Sequence, residues 1–213
     1  MKNPLRIHYL SLISNLGFFD LIAKSSALSD RFFQWVSDDQ ALFKNRYLVS
    51  FYPFDGEPQI NIERESRDEP YRVSYVRIDD WKKREMTARE ARRDTPDLWE
   101  EFDITGGNRI FQPKASQKRC KEEEIAAILV PGAAFTRRGD RLGRGAGFYD
   151  RFLAAHPHAL RIGIAFEEQV APSLPVDEWD KSVDIVLTDQ KLHVTKAFGE
   201  WRSHGMIKDR NKA

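Results

Sequence analysis

Three runs in the second half of the chain, IAAILV (125–130), RIGIAF (161–166) and VDIVLT (183–188), are apolar at nearly every position rather than at every second one. A strand with one wet face alternates apolar and polar residues, whereas a strand covered on both faces leaves no place for a polar side chain. Each run is too short for a buried helix. A helical segment starting near Gly147 follows the first run, so the strands are expected to lie parallel, joined by crossovers that cover the sheet. The expected class is α/β.

The rest of the chain supplies fewer constraints. Residues 4–35 read as helix, with Tyr9, Leu12, Ile13 and Leu16 at helical offsets and Gly17 as an interruption. YLVSFYP (47–53), closed by the turn-forming PFDGEP, reads as a strand, and YRVSYVRI (71–78) as a second. Residues 79–112 are strongly charged, turn on Gly106 and Gly107, and read as a solvated helix of mixed charge. The last residues, 196–213, read as a polar tail that frays. With 213 residues, no internal repeat and no linker, one domain over 1–213 is the expectation, its first 35 residues forming a helical segment.

Net charge is only +1, which excludes recruitment of nucleic acid or an anionic membrane by a global field. Any anion site must be a local concentration of charge. Cys120 is the single cysteine, so no intrachain disulfide forms, and its setting KRCKEEE reads as an exposed, incidental thiol. Lys2 and Arg6 precede a fairly apolar stretch, but His8, Asn15 and Asp20 interrupt it and no small-residue cleavage motif follows, which argues against a secretion signal. No stretch reaches the roughly 20 apolar residues of a membrane span. The histidines show no metal-ligand spacing, and His156 and His158 read as loop residues. A cytoplasmic monomer, with no nucleic-acid or membrane partner, is expected.

That local concentration of charge is RRGDRLGRGAGFYDRF (137–152), where four glycines and five arginines crowd between the first apolar run and the helix. Ligands of open α/β sheets collect at such strand-to-helix junctions. Gly143, Gly145 and Gly147 allow the backbone to take positive φ and bring its amides close to a polyanion, while Arg141 and Arg144 offer paired donors to phosphate oxygens. Neither GxxxxGK[ST] nor GxGxxG fits, and a flexible turn with solvated arginines is the plainer alternative. An RNA-contacting arginine and glycine segment is a further one. Asp150 is either a first-turn residue complementing the helix dipole or one of the carboxylates that hold Mg²⁺ beside phosphates. Asp180 is either its partner in that role or a turn residue.

VPGAAFTRRGDRLGRGAGFYDRFL, followed by RIGIAFEEQV and LPVDEWDKSVDIVLT, resembles the C-terminal half of the 5-formyltetrahydrofolate cyclo-ligase family, from about Ile125 to Thr188. The resemblance implies a three-layer α/β/α fold with a mainly parallel sheet. It also implies an ATP- and Mg²⁺-dependent conversion of 5-formyltetrahydrofolate to 5,10-methenyltetrahydrofolate, with ADP and phosphate released. In that reading Arg141 and residues 143–147 (Gly143, Arg144, Gly145, Ala146, Gly147) hold ATP phosphates, Tyr149 lies beside the nucleotide, and Asp150 and Asp180 are the magnesium carboxylates. Residues 144–148, ending in Phe148 where the family more often has Tyr, also border the folate.

Upstream, KNPLR is similar to the family's KxxLR, which makes Lys2 and Arg6 further ATP-binding residues. FYPFDGEPQ is similar to the segment that carries a folate-contacting glutamate, which makes Glu57 the pterin partner and Tyr52 its neighbour; Phe54 is either part of the same slot or core. The implied chemistry is transfer of the γ-phosphoryl group to the formyl oxygen. Such a step needs positioning and charge stabilisation more than a covalent nucleophile, so Arg141 and Arg144 are the expected catalytic residues. Arg141→Ala is expected to impair ATP use far more than folding. A paralogue that keeps the nucleotide loop but has lost folate turnover is the alternative.

Overall fold

The computed structural model of the chain describes residues 2–54, 56–63, 68–104 and 108–203. Its helices are α1 (Lys2–Ser14), α2 (Phe18–Asp38), α3 (Gln40–Phe43), α4 (Phe148–Ala155) and α5 (Lys196–Ser203). The strands up to the glycine and arginine segment are β1 (Tyr47–Ser50), β2 (Arg72–Asp80), β3 (Glu85–Glu90), β4 (Trp99–Ile104), β5 (Asn108–Pro113) and β6 (Ile125–Pro131). Beyond them come β7 (Ala134–Thr136), β8 (Arg141–Leu142), β9 (Leu160–Ile164), β10 (Val170–Ala171), β11 (Ile185–Leu187) and β12 (Leu192–Val194).

Seven strands form one sheet in the order β12-β11-β9-β6-β1-β2-β3. The five inner strands are parallel, and β3 and β12 close the edges antiparallel. The three apolar runs occupy neighbouring inner positions as β6, β9 and β11. Their side chains divide by parity. Leu129, Ile162 and Ile185 pack in one core cluster with Leu28, Phe32 and Val36 of α2 and Phe198 of α5. Ile128, Val130 and Val186 pack on the other face with Phe152 and Leu153 of α4. Helices therefore cover both faces, as the uniform hydrophobicity required. The expected helical stretch 4–35 is two helices broken at Gly17, which caps α2 in an extended conformation.

Two expectations fail for a common reason. The charged segment is not a solvated helix: β2 and β3 form an antiparallel hairpin, and β4 and β5 a second one. Many of its charges pair across strands, with Arg77 bonded to Glu100 and with Thr87 and Arg89 reaching Asp79, while Arg77 and Asp79 (3.1 Å) also pair along β2 itself. Gly106 and Gly107 lie outside the described residues. Cys120 is likewise buried, not exposed: its amide bonds Ala88 O (2.9 Å), its side chain turns inward between exposed Arg119 and Lys121, and burial pushes its thiol up to about 12. Such a thiol is unreactive.

His156 also lies under cover, ending α4 with its ring 4.3 Å from that of Phe152, and burial lowers its pKa. Residues 196–203, expected to fray, form α5, and the tail beyond residue 203 lies outside the described residues. No helix among the described residues is long and apolar enough to cross a membrane.

Beneath β1 and β3 lies a polar cluster with a measurable signature. Burial disfavours the Glu90 carboxylate, but hydrogen bonds from Tyr47, Lys118 and Arg72 outweigh it and hold its pKa at about 2, against 4.5 ordinarily. Because the unfolded chain takes up this proton first, the stabilisation is complete above pH 4.5 and is lost as pH falls towards 2. Melting temperature measured across that window should fall less steeply for Glu90→Gln than for the wild type. Parallel curves would exclude the coupling.

Candidate functional site

In the sheet order, the chain leaves β1 towards β2 and leaves β6 in the opposite direction, towards β9. A crevice opens beyond the carboxyl ends of β1 and β6, where the order reverses. A cavity of about 690 Å³ occupies it. Every residue the sequence nominated lines this one cavity: Lys2, Arg6, Tyr52, Glu57, Arg141, the segment from Gly143 to Gly147, Phe148, Tyr149, Asp150 and Asp180.

The polar half is assembled around the short hairpin of β7 and β8. Thr136 accepts from the amide of Asp140 (3.1 Å) and bonds its carboxylate (2.8 Å), which closes the turn, and Ala133 N bonds Leu142 O at 2.7 Å. Arg141 thus stands on a strand, not in a loose loop. Its side chain is only 4% exposed and donates to Asp150 Oδ1 (2.7 Å) and to Pro131 O (3.2 Å). The flexible-turn alternative is excluded for this residue, while Arg137 and Arg138 are the solvated ones.

The glycines divide their tasks. Gly145 (φ 108°) and Gly147 (φ 72°, capping α4) need the left-handed region; Gly143 does not. A Cβ on Gly143 would stand 2.9 Å from Arg141 Nη1, so its hydrogen makes room for that guanidinium.

Helix α1 lies across this half, seated by Leu5, Tyr9 and Leu10 against Ala133, Ala134 and Leu142. Arg6 Nε donates to Gly143 O at 2.8 Å. The Lys2 ammonium bonds Asp180 and also Asp177 (2.7 Å). Burial opposes the charge of Lys2, yet the two carboxylates raise its pKa; burial also opposes that of Asp180, yet the Asp177 amide and Lys2 lower its own. Lys181 N bonds Asp150 Oδ1 (3.1 Å), which brings the two candidate metal carboxylates to the same wall.

The other half is apolar and aromatic. Tyr52 packs on Trp99 and Phe111, with ring centroids 5.5 and 5.1 Å away, and Val76, Ile78 and Met86 come from the first hairpin. The second hairpin is fixed to the first by Gln112, whose Oε1 accepts from Ile78 N at 3.0 Å. Glu57, 3% exposed, accepts from Phe54 N (2.8 Å) and from Arg144 Nε (2.7 Å), and the Arg144 guanidinium lies 5.0 Å over the Phe54 ring. Burial raises the Glu57 pKa against the pull of Arg144. Arg144 therefore stands on the aromatic side of the cavity, beside Glu57 and Phe54. The Tyr149 hydroxyl is buried without a hydrogen-bond partner among the described residues, and burial pushes its pKa up.

Sequence reasoning missed Trp81, Arg84 and Met86 of the first hairpin and Ile110 and Phe111 of the second. It also missed Asp177 and Trp179. The alternation of Met86 and Ala88 with Thr87 and Arg89 was the available signal for the first.

Fold and site together define an α/β protein with one cavity that is rich in arginine and glycine on one side and aromatic on the other. Residues 64–189, more than half of the chain, match the 5-formyltetrahydrofolate cyclo-ligase family, and the chain belongs to that family. The match includes the charged segment that the sequence motifs left out. Curated relatives include the 5-formyltetrahydrofolate cyclo-ligase of Mus musculus, 43% identical over 37% of this chain and 42% of the relative. That of Escherichia coli K12 is 40% identical over 39% of this chain and 48% of the relative. The chain thus spans less than half the length of these relatives. The NMR structure of Aquifex aeolicus 5,10-methenyltetrahydrofolate synthetase shares the fold, with a TM-score of 0.72 and 22% identity over 99% of this chain and 98% of that one.

Proposed function

We propose that the protein is an ATP- and Mg²⁺-dependent 5-formyltetrahydrofolate cyclo-ligase that forms 5,10-methenyltetrahydrofolate, ADP and phosphate, acting in the cytoplasm. The observation that carries this reading is the sharing of one cavity by the cradle of Arg6, Arg141 and residues 143–147 and the slot of Tyr52, Phe54 and Glu57. A polyanion and a reduced pterin ring would thereby lie side by side.

The residues nominated from the sequence have tasks in that reaction. Lys2, Arg6 and the amides of the glycine segment take the triphosphate, and Tyr149 borders it. Glu57, oriented by Phe54 N–H and Arg144, accepts from pterin N–H groups. The formyl oxygen attacks the γ-phosphorus and the bond to ADP breaks. N10 then attacks the formyl carbon, loses its proton, and phosphate leaves with the former formyl oxygen. Charge developing on the transferred group meets Arg141, which is rigidly held and shielded from water.

The metal fits the residues present. Asp150 Oδ2 and Asp180 Oδ1 are oxygens with no hydrogen bond from the described residues, and hard oxygen donors of this kind suit Mg²⁺. Among the described residues no group of three or more acids, histidines or cysteines forms a complete cage, so phosphate oxygens would complete the coordination. When bound, the ion would neutralise phosphate charge.

The test is an initial-rate assay with 5-formyltetrahydrofolate, ATP and Mg²⁺. The account expects methenyltetrahydrofolate absorbance to rise with one ADP per product. Nucleotide binding without that rise would identify a paralogue that has lost turnover.

A further inference from the structure

The cavity holds more cation than the reaction above uses. Lys2 is taken up by Asp177 and Asp180, Arg141 by Asp150, and Arg144 by Glu57; Arg6 leans on Gly143 O and faces Gly145. Arg84 is different. Its guanidinium makes no ion pair or hydrogen bond with any described residue, although it lines the cavity and stands 3.4 Å from where a Cβ on Gly147 would be.

Arg84 is nonetheless held in place. It adopts a left-handed conformation (φ 57°) in the turn that joins β2 to β3, a region arginine rarely enters. That turn is fixed to α4 by the Trp81 ring on Phe148 (4.9 Å) and by Arg151 Nη1 on Lys83 O (3.0 Å). The strands leading to the turn supply Val76, Ile78 and Met86 to the apolar slot. An open guanidinium on a fixed turn thus stands at the tip of an apolar wall, close to Gly147 but on a different element from the cradle and the metal carboxylates.

We propose that Arg84 is a specificity-determining residue that binds a carboxylate carried at the end of the aromatic ligand. This rests on the folate reading above. In a reduced folate the pterin and benzoyl rings fill the slot and the glutamyl carboxylates are the anionic end, which a guanidinium fork matches with two parallel hydrogen bonds.

The experiment compares wild type, Arg84→Asn and Arg84→Lys with two substrates, 5-formyltetrahydrofolate and the same molecule without its glutamate, 5-formyltetrahydropteroate. Asparagine tolerates the left-handed backbone, so the turn survives the loss of charge. For Arg84→Asn, loss of a charge-assisted pair should raise KM for the folate about tenfold, with kcat and KM for ATP unchanged. The pteroate KM should not move, and lysine should restore part of the loss. A KM rise for ATP, or equal changes for both folates, would overturn the proposal while leaving the cyclo-ligase reading intact. Wild type that binds ATP but turns over neither folate would overturn that reading itself.

Discussion

Arg141→Ala is expected to lower kcat/KM for ATP about 10²- to 10³-fold, the usual loss when one preorganised charge-stabilising donor is removed. The same substitution should also destabilise the fold by roughly 3 kcal/mol, because it leaves the Asp150 carboxylate without its 2.7 Å partner in a largely covered site. The sequence suggested damage to ATP use far greater than to folding; the burial of Arg141 makes both effects large. Arg141→Lys separates them. An ammonium can stay near Asp150 and recover much of the stability, but it lacks the second nitrogen and should recover little of the rate. If Arg141→Ala melted early yet turned over normally, the residue would be a structural ion-pair member only.

Glu57→Gln is expected to reduce kcat/KM for the folate about 10- to 100-fold, in line with loss of charge-assisted hydrogen bonds, with little change in KM for ATP. Stability should move little, since burial already disfavours the Glu57 charge and raises its pKa. Arg144 would lose its counter-charge, so Glu57 and Arg144 are energetically one unit. A double-mutant cycle of Glu57→Gln with Arg144→Ala should therefore be far from additive in folate kcat/KM. Additivity would place the two residues on separate tasks.

Much of this was legible in the sequence. The central strands declared themselves because burial on both faces removes polar residues from consecutive positions, and no other short element has that requirement. The site loop stood out because four glycines and five arginines crowd between an apolar strand and a helix, where ligands of open α/β sheets collect. β2 was read as a strand, but β3, β4 and β5 were hidden because their charges read equally well as a helix surface; the period-2 placement of Met86 and Ala88 was the available signal for β3. Cys120 was hidden in the same manner, its polar neighbours pointing out while it points in. Pairings such as Arg144 with Glu57 and Lys2 with Asp180 join residues far apart in the chain, and no local pattern records them. Gly143 illustrates a subtler limit: its spacing suggested backbone freedom, whereas its task is clearance for the Arg141 side chain.

The account stands on phosphoryl transfer to the formyl oxygen inside this cleft. With the formyl oxygen of the substrate labelled as ¹⁸O and turnover run in unlabelled water, the released phosphate should carry the label, read by ³¹P NMR or mass spectrometry. Unlabelled phosphate accompanying methenyltetrahydrofolate would mean that ATP is hydrolysed apart from the ring closure, and would contradict the mechanism.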